Sequence, residues 1–189
     1  MNVHTENALE GGCACGSVRY RLEADPLIVH ACHCRNCQRQ TGTWHAVNAL
    51  VESGHVALAS GVLDARELET PSGAGQTVYR CSICQVALWS NYHVMSRGHG
   101  DIVRFVRVGT LDEPGRLPPD VHIYTRERNR CAPEPCNAPA FPEFYDLETV
   151  WKGSSLKRLA KVFASLQALQ PVMSGSGSET TKSRAIGQV

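Results

Sequence analysis

Seven cysteines in three clusters constrain this chain more than any other feature: Cys13 and Cys15, then Cys32, Cys34 and Cys37, then Cys81 and Cys84. The middle cluster packs three thiols into Cys32-His33-Cys34-Arg35-Asn36-Cys37, and a polar run closed by Gly42 follows. A disulfide cannot use three thiols, and C-x-C is too tight for easy closure. A thiolate-seeking divalent cation takes all three at once, and zinc is the best match for soft sulfur on a short irregular loop. Three protein ligands rather than four is the arithmetic of a catalytic zinc, whose remaining position serves water or substrate. The competing reading is a structural zinc with a fourth ligand from elsewhere.

The simplest partition joins the two outer pairs, Cys13/Cys15 and Cys81/Cys84, into one Cys₄ site and leaves the triplet as a second centre. A C-x-C near the start and a C-x-x-C some 65 residues later would staple distant strands together, which is a structural task. The partition is not unique, since the triplet could borrow a cysteine from either pair, or a histidine. His33 lies inside the triplet, but the expectation for it is an exposed loop residue rather than a ligand. A redox dithiol at Cys81/Cys84 is the other alternative, weakened by the lack of a βαβ pattern around it.

Nine cysteines without an apolar signal segment in MNVHTENALEGG point to a reducing compartment and metal binding, hence a soluble, cytoplasmic protein. No apolar run approaches the ~20 residues of a membrane span. Lys and Arg number 19 against 18 Asp and Glu, and seven thiolates with two divalent cations would move the formal charge from +1 to about −2. That balance excludes an electrostatic footprint for nucleic acid. Zinc knuckles reading nucleic acid would also need more interleaved basic and aromatic residues than Arg35, Arg39 and Trp44 offer.

Val18, Tyr20 and Leu22 alternate with charged neighbours, as a half-buried strand does. Further strands are expected over 27–31, 44–51, 55–59, 77–80, 86–89, around 102–108 and over 121–124. Residues 1–10 read as a polar lead and 11–16 as a turn; 60–76 are less clear, since Gly61-Val62-Leu63-Asp64 could open a strand while 70–75 are loop. The result is a mainly β domain over 9–128. An irregular, proline-rich segment (129–153) with Cys131 and Cys136 follows. Leu156, Leu159, Val162, Phe163, Leu166 and Leu169 then carry helical spacing over 154–171, N-capped by Ser154 or Ser155. Such a helix packs on its own domain or forms a homo-oligomer contact. The Gly/Ser-rich tail, 172–189, is expected to be disordered.

Gly11-Gly12-Cys13-Ala14-Cys15-Gly16-Ser17-Val18-Arg19-Tyr20, Cys32-His33-Cys34-Arg35-Asn36-Cys37-Gln38-Arg39-Gln40-Thr41-Gly42 and Cys81-Ser82-Ile83-Cys84 together resemble the glutathione-dependent formaldehyde-activating enzyme family (the CENP-V/GFA domain). Pro119-Asp120-Val121-His122-Ile123-Tyr124 and Phe141-Pro142-Glu143-Phe144-Tyr145 look like later landmarks of that family. The resemblance implies a zinc-stapled, β-rich Mss4-like fold. It gives Cys13, Cys15, Cys81 and Cys84 to a structural zinc, and Cys32, Cys34 and Cys37 to a catalytic one. It also implies a carbon–sulfur lyase whose partners are a small thiol such as glutathione and an aldehyde such as formaldehyde. Gln85 stands where the family usually has glycine, and Cys131 where relatives tend to carry tryptophan.

Glutathione carries two carboxylates, so Arg35, Arg39 or Arg97 could orient it. His45, His93 and His122 are general-base candidates by residue type alone. A zinc-stabilised binding module without catalysis is the alternative function, favoured if the triplet acquires a fourth ligand.

Overall fold

Alternating apolar and polar residues build most of the strands. The structure, a computed structural model, describes residues 8–96, 101–134 and 137–169. The chain runs β1 (Leu9–Gly12), β2 (Arg19–Leu22), β3 (Ile28–Cys32), α1 (Arg35–Thr41), β4 (Ala46–Glu52), β5 (Val56–Ser60), β6 (Leu63–Leu68) and β7 (Gln76–Cys81). It continues through β8 (Ala87–Tyr92), the single turn α2 (His93–Ser96), β9 (Val103–Arg107), β10 (Val121–Ile123), a second single turn α3 (Leu147–Val150), and α4 (Gly153–Leu169). β1, β2 and β5 form a small antiparallel sheet. The other strands form a larger one in the order β10-β3-β4-β9-β8-β7-β6, antiparallel except where β10 lies parallel to β3. The fold is therefore mainly β, as the sequence predicts.

The two-residue period of β3 and β4 divides the core. On one face of the large sheet, Val29, Ala49, Val51 and Val106 pack with Val18 and with Tyr20 and Leu22 of the small sheet. Tyr20 and Trp89 meet there edge to face at 5.6 Å. On the other face Ile28, Cys32, Leu50, Val121 and Ile123 are covered by Tyr145, Trp151 and Leu159. Each such aliphatic side chain contributes roughly 1.5–3 kcal/mol when fully buried. The cover is pinned by polar contacts. Tyr145 Oη lies 2.5 Å from His30 Nε2, and Trp151 Nε1–H donates to the same hydroxyl at 2.8 Å.

Four local expectations change. Leu9–Gly12 is a strand rather than a lead and turn. It passes so close to its neighbours that a Cβ on Gly11 would sit 2.6 Å from both the Thr110 carbonyl oxygen and the Tyr20 ring. The unclear stretch after residue 60 contains β6, an edge strand whose exposed side chains hide its period. The polar run after Cys34 is a helix, α1. The last helix begins at Gly153, and neither serine caps it as expected: Ser155 is buried inside the first turn, where its hydroxyl donates to the Leu27 carbonyl at 2.7 Å.

That helix lays Leu156, Leu159, Val162 and Phe163 on the second core cluster, and Arg158 grips the Glu52 carboxylate through Nε and Nη2 at 2.8 and 2.5 Å. Cys136, Arg97 and the tail from 172 onward lie outside the described residues. Among the described residues no helix is long and apolar enough to cross a membrane.

Candidate metal centres

The four outer cysteines converge from the turn after β1 and the connection between β7 and β8, with their sulfurs within 4.8 Å of one another. Cys13 and Cys15 sit in the turn after β1, where the Cys13 N–H donates to the Val18 carbonyl at 3.1 Å. Cys81 ends β7, and the Gln85 N–H returns to the Cys81 carbonyl at 3.0 Å. That turn puts Gln85 at φ 59°, a left-handed conformation that costs a residue with a Cβ about 1 kcal/mol. The Gln85 amide offsets some of this by donating to Asp64 Oδ2 at 3.0 Å and to the Ser82 carbonyl at 3.3 Å.

The donor set fits zinc. A tetrahedron with Zn–S of ~2.3 Å has sulfur–sulfur edges of about 3.8 Å, and Cys15 and Cys81 Sγ lie 3.8 Å apart. Backbone N–H groups of Val18 and Ile83 point at Cys13 and Cys81 Sγ at 3.3 and 3.4 Å. The Ser17 hydroxyl lies 3.1 Å from both Cys15 and Cys81 Sγ. Such bonds favour thiolates over thiols, and the Ser17 bond is the largest influence holding Cys81 below the usual thiol range.

Cys32, Cys34 and Cys37 form the second group, also within 4.8 Å. Cys32 is the last residue of β3, flanked by Ala46 and Ile123. Cys34 caps α1, its sulfur accepting from the Cys37 N–H at 3.3 Å, and Gly42 closes the helix at φ 67°. Buried Gln38 fastens the helix, its amide donating to the carbonyls of His33 and Glu127 at 2.6 and 3.0 Å. The Glu127 carboxylate accepts from the Arg35 N–H at 2.8 Å. By themselves the three thiols settle one negative charge on Cys34. Hydrogen bonds from Cys32 and Cys37 bring Cys34 down to about 3. Bonds to Cys34 and Cys37, then burial, push Cys32 well above the usual range. Cys37 rises to about 12, the pull of Cys32 being outweighed by its bond to Cys34, burial and the Cys34 charge. A divalent cation is what lets all three ionise together.

His33 is not the exposed loop residue expected. It is 1 % exposed and lies 2.9 Å from His122, Nε2 to Nδ1. His45 joins them, its ring 4.8 Å from that of His33. Burial lowers all three imidazoles, His33 to about 4, so they are neutral at pH 7. No histidine joins either sulfur group among the described residues. His93 lies at the far end of β8 beside Thr77, 2.9 Å away.

Of the arginines expected to orient a substrate, Arg35 and Arg39 are exposed. The sequence reading misses Arg107, a cation at the end of β9 where the alternation Val103, Phe105 calls for an apolar residue. Its Nη1 donates to Asn48 Oδ1 at 2.5 Å and its Nη2 to Gln40 Oε1 at 3.4 Å. Its Nε is buried with no hydrogen-bond partner among the described residues. Burial lowers its basicity, while charge on Cys37 and Cys32 supports it. Tyr124, held at φ 56°, keeps its phenol proton: burial first, then charge on Cys32, raise it to about 12.

Fold and sites together define a small β protein with two cysteine centres of metal-ligating geometry, one of four sulfurs and one of three. The chain belongs to the family of the glutathione-dependent formaldehyde-activating enzyme, whose model matches residues 8–127. No curated protein matches it. Among solved structures, the crystal structure of a Rhodobacter sphaeroides protein is similar at 16 % identity and a TM-score of 0.41, covering 70 % of this chain and 99 % of that one.

Proposed function

We propose that this chain is a zinc-dependent carbon–sulfur lyase that makes or breaks the adduct of a small thiol and an aldehyde, with glutathione and formaldehyde the first pair to consider. The observation that carries the reading is the three-sulfur group, which no fourth Cys, His or carboxylate joins among the described residues. Cys13, Cys15, Cys81 and Cys84 hold a structural zinc in this reading, and Cys32, Cys34 and Cys37 a catalytic one. Family membership supports the substrate pair, and the thiol-rich composition supports a reducing, cytoplasmic setting.

In the forward direction the sulfur bonds to the carbonyl carbon, the C=O π bond breaks, and the thiol proton ends on the oxygen. Zinc at the triplet would hold a thiol as thiolate near neutral pH or polarise the aldehyde oxygen. The chain supplies the surroundings. Phe105, Met95 and Phe141 pack, half-buried, against the cluster that contains Cys32. Tyr124 retains its proton and stays a hydrogen-bond donor for oxygen. Half-buried Arg107 lies within electrostatic reach of Cys37 and Cys32 and would face the negative charge that three thiolates leave on a divalent ion.

The test is exchange NMR between free and hydroxymethylated glutathione, on zinc-loaded full-length protein, with the uncatalysed rate subtracted. Acceleration that disappears in Cys34→Ser is expected. No acceleration with any thiol–aldehyde pair, the triplet being fully loaded, would overturn the reading in favour of a non-catalytic binding module.

A further inference from the structure

An open cavity of about 740 Å³ lies where α1 ends, β4 and β8 begin and β9 ends, between the two cysteine centres. Its size is within the roughly 300–1,000 Å³ of small-molecule sites. Two guanidiniums line it, Arg80 and Arg107, and the charge of Arg80 disfavours that of Arg107. Among the described residues neither has a carboxylate within ion-pair distance. Asp64, opposite Arg80 in the β6–β7 register, accepts from Gln85 instead, while Arg80 Nη1 donates to the Gln85 carbonyl at 3.1 Å. Arg107 Nε has no partner at all among the described residues. Two like charges at one cavity repel, and the single negative charge that three thiolates would leave on a divalent ion offsets only one of them, so the second calls for an anion. Trp44 stands at the same wall, 46 % exposed, and offers a flat apolar face to the rest of a ligand.

We propose that Arg80 and Arg107 form a carboxylate subsite that holds the thiol substrate by an end remote from its sulfur. Ala46, the register partner of Cys32, and Gln40, on the helix that carries Cys37, line the same cavity, so the subsite adjoins the three-sulfur centre. A planar guanidinium can grip a carboxylate through two parallel hydrogen bonds. The substrate class is thus a thiol bearing a carboxylate several bonds from sulfur; a bare alkanethiol is a poor substrate. This deepens the lyase reading and rests on it for the identity of the ligand.

Binding and turnover separate the two ideas. S-methylglutathione has no free thiol, so its binding, followed through Trp44 fluorescence and calorimetry, reports the subsite without chemistry. Zinc-loaded wild type should bind it about tenfold more tightly than its diethyl ester, the worth of one charge-assisted contact. Arg80→Gln should erase that preference, and Arg107→Gln should do the same if it folds; Arg80→Gln decides the matter alone if it does not. In turnover, Arg80→Gln should lower the ratio of kcat/KM for glutathione over that for 2-mercaptoethanol about tenfold. Equal binding of acid and ester by wild type, or a preference unchanged in Arg80→Gln, would overturn the subsite even if turnover is seen. Arginine-dependent binding without turnover would keep the subsite and remove the lyase.

Discussion

The two cysteine centres differ in what surrounds them. The four-sulfur group joins a turn of the small sheet to a hairpin of the large one, bridging Cys15 and Cys81 across 66 residues, with Ile83 at its tip exposed. The three-sulfur group is local, drawn from six consecutive residues at the end of one strand and the start of one helix, and it sits at the second core cluster within electrostatic reach of Arg107. A long-range link stabilises by tying parts of the chain that would otherwise separate. A local, incomplete one adds little to stability but leaves its sulfurs poised for chemistry.

The strongest way to break this contrast is Cys81→Ser. It should cost one zinc per chain and lower the melting temperature by more than about 20 °C, because a structural site carries folding free energy; an unchanged melt would end the staple. Cys34→Ser is the counterpart. Zinc content should again fall by one per chain and adduct chemistry should vanish, yet calorimetry should place the melt within about 5 °C of wild type.

Acid titration sharpens the contrast. With Cys34 near 3 and Cys37 near 12, and Cys32 raised as well, zinc entering the triplet at neutral pH displaces two protons, not three. Protons compete with the ion, so affinity should fall as pH falls, about a hundredfold per unit around neutral pH, where Cys32 and Cys37 are protonated and Cys34 is not. Calorimetry in buffers of differing ionisation heat counts those protons, and a value near three would mean thiols that titrate independently.

Smaller effects follow from second contacts. Glu127→Ala removes the carboxylate that accepts from the Arg35 N–H, so the triplet should lose about tenfold in zinc affinity while the four-sulfur site keeps its own, as competition with a chelator would reveal. Gln85→Gly should change stability by less than about 1 kcal/mol in a denaturant titration. Release from the left-handed conformation is offset by the lost amide contacts and the freer unfolded chain.

The sulfur groups were legible from sequence because metal chemistry imposes short spacings, and most strands because burial imposes a period of two. α1 was not. Its seven residues have no apolar stripe, and it is fixed by Cys34 and Gly42 at its ends and by Gln38 and Glu127 from the side, contacts that sequence does not advertise. Arg107 escaped notice for a related reason: its importance comes from register, which sets it opposite Asn48 beside the thiols. His33 was misjudged because its neighbours, thiols in a tight turn, suggested a loop, whereas β10 arriving alongside β3 buries it against His122.

The cover over the second core face has a consequence for synthesis. Ser155 meets the carbonyl of Leu27 from 128 residues away, and Tyr145 meets His30 from 115. At ~5–20 residues per second on the ribosome, the strand that delivers Cys32 waits about 6–25 s for its lid. Throughout that interval Leu27 and Ile28 present bare apolar surface to chaperones. The family match stops at 127, before any of the lid is made, so a nascent chain halted there would carry that surface permanently.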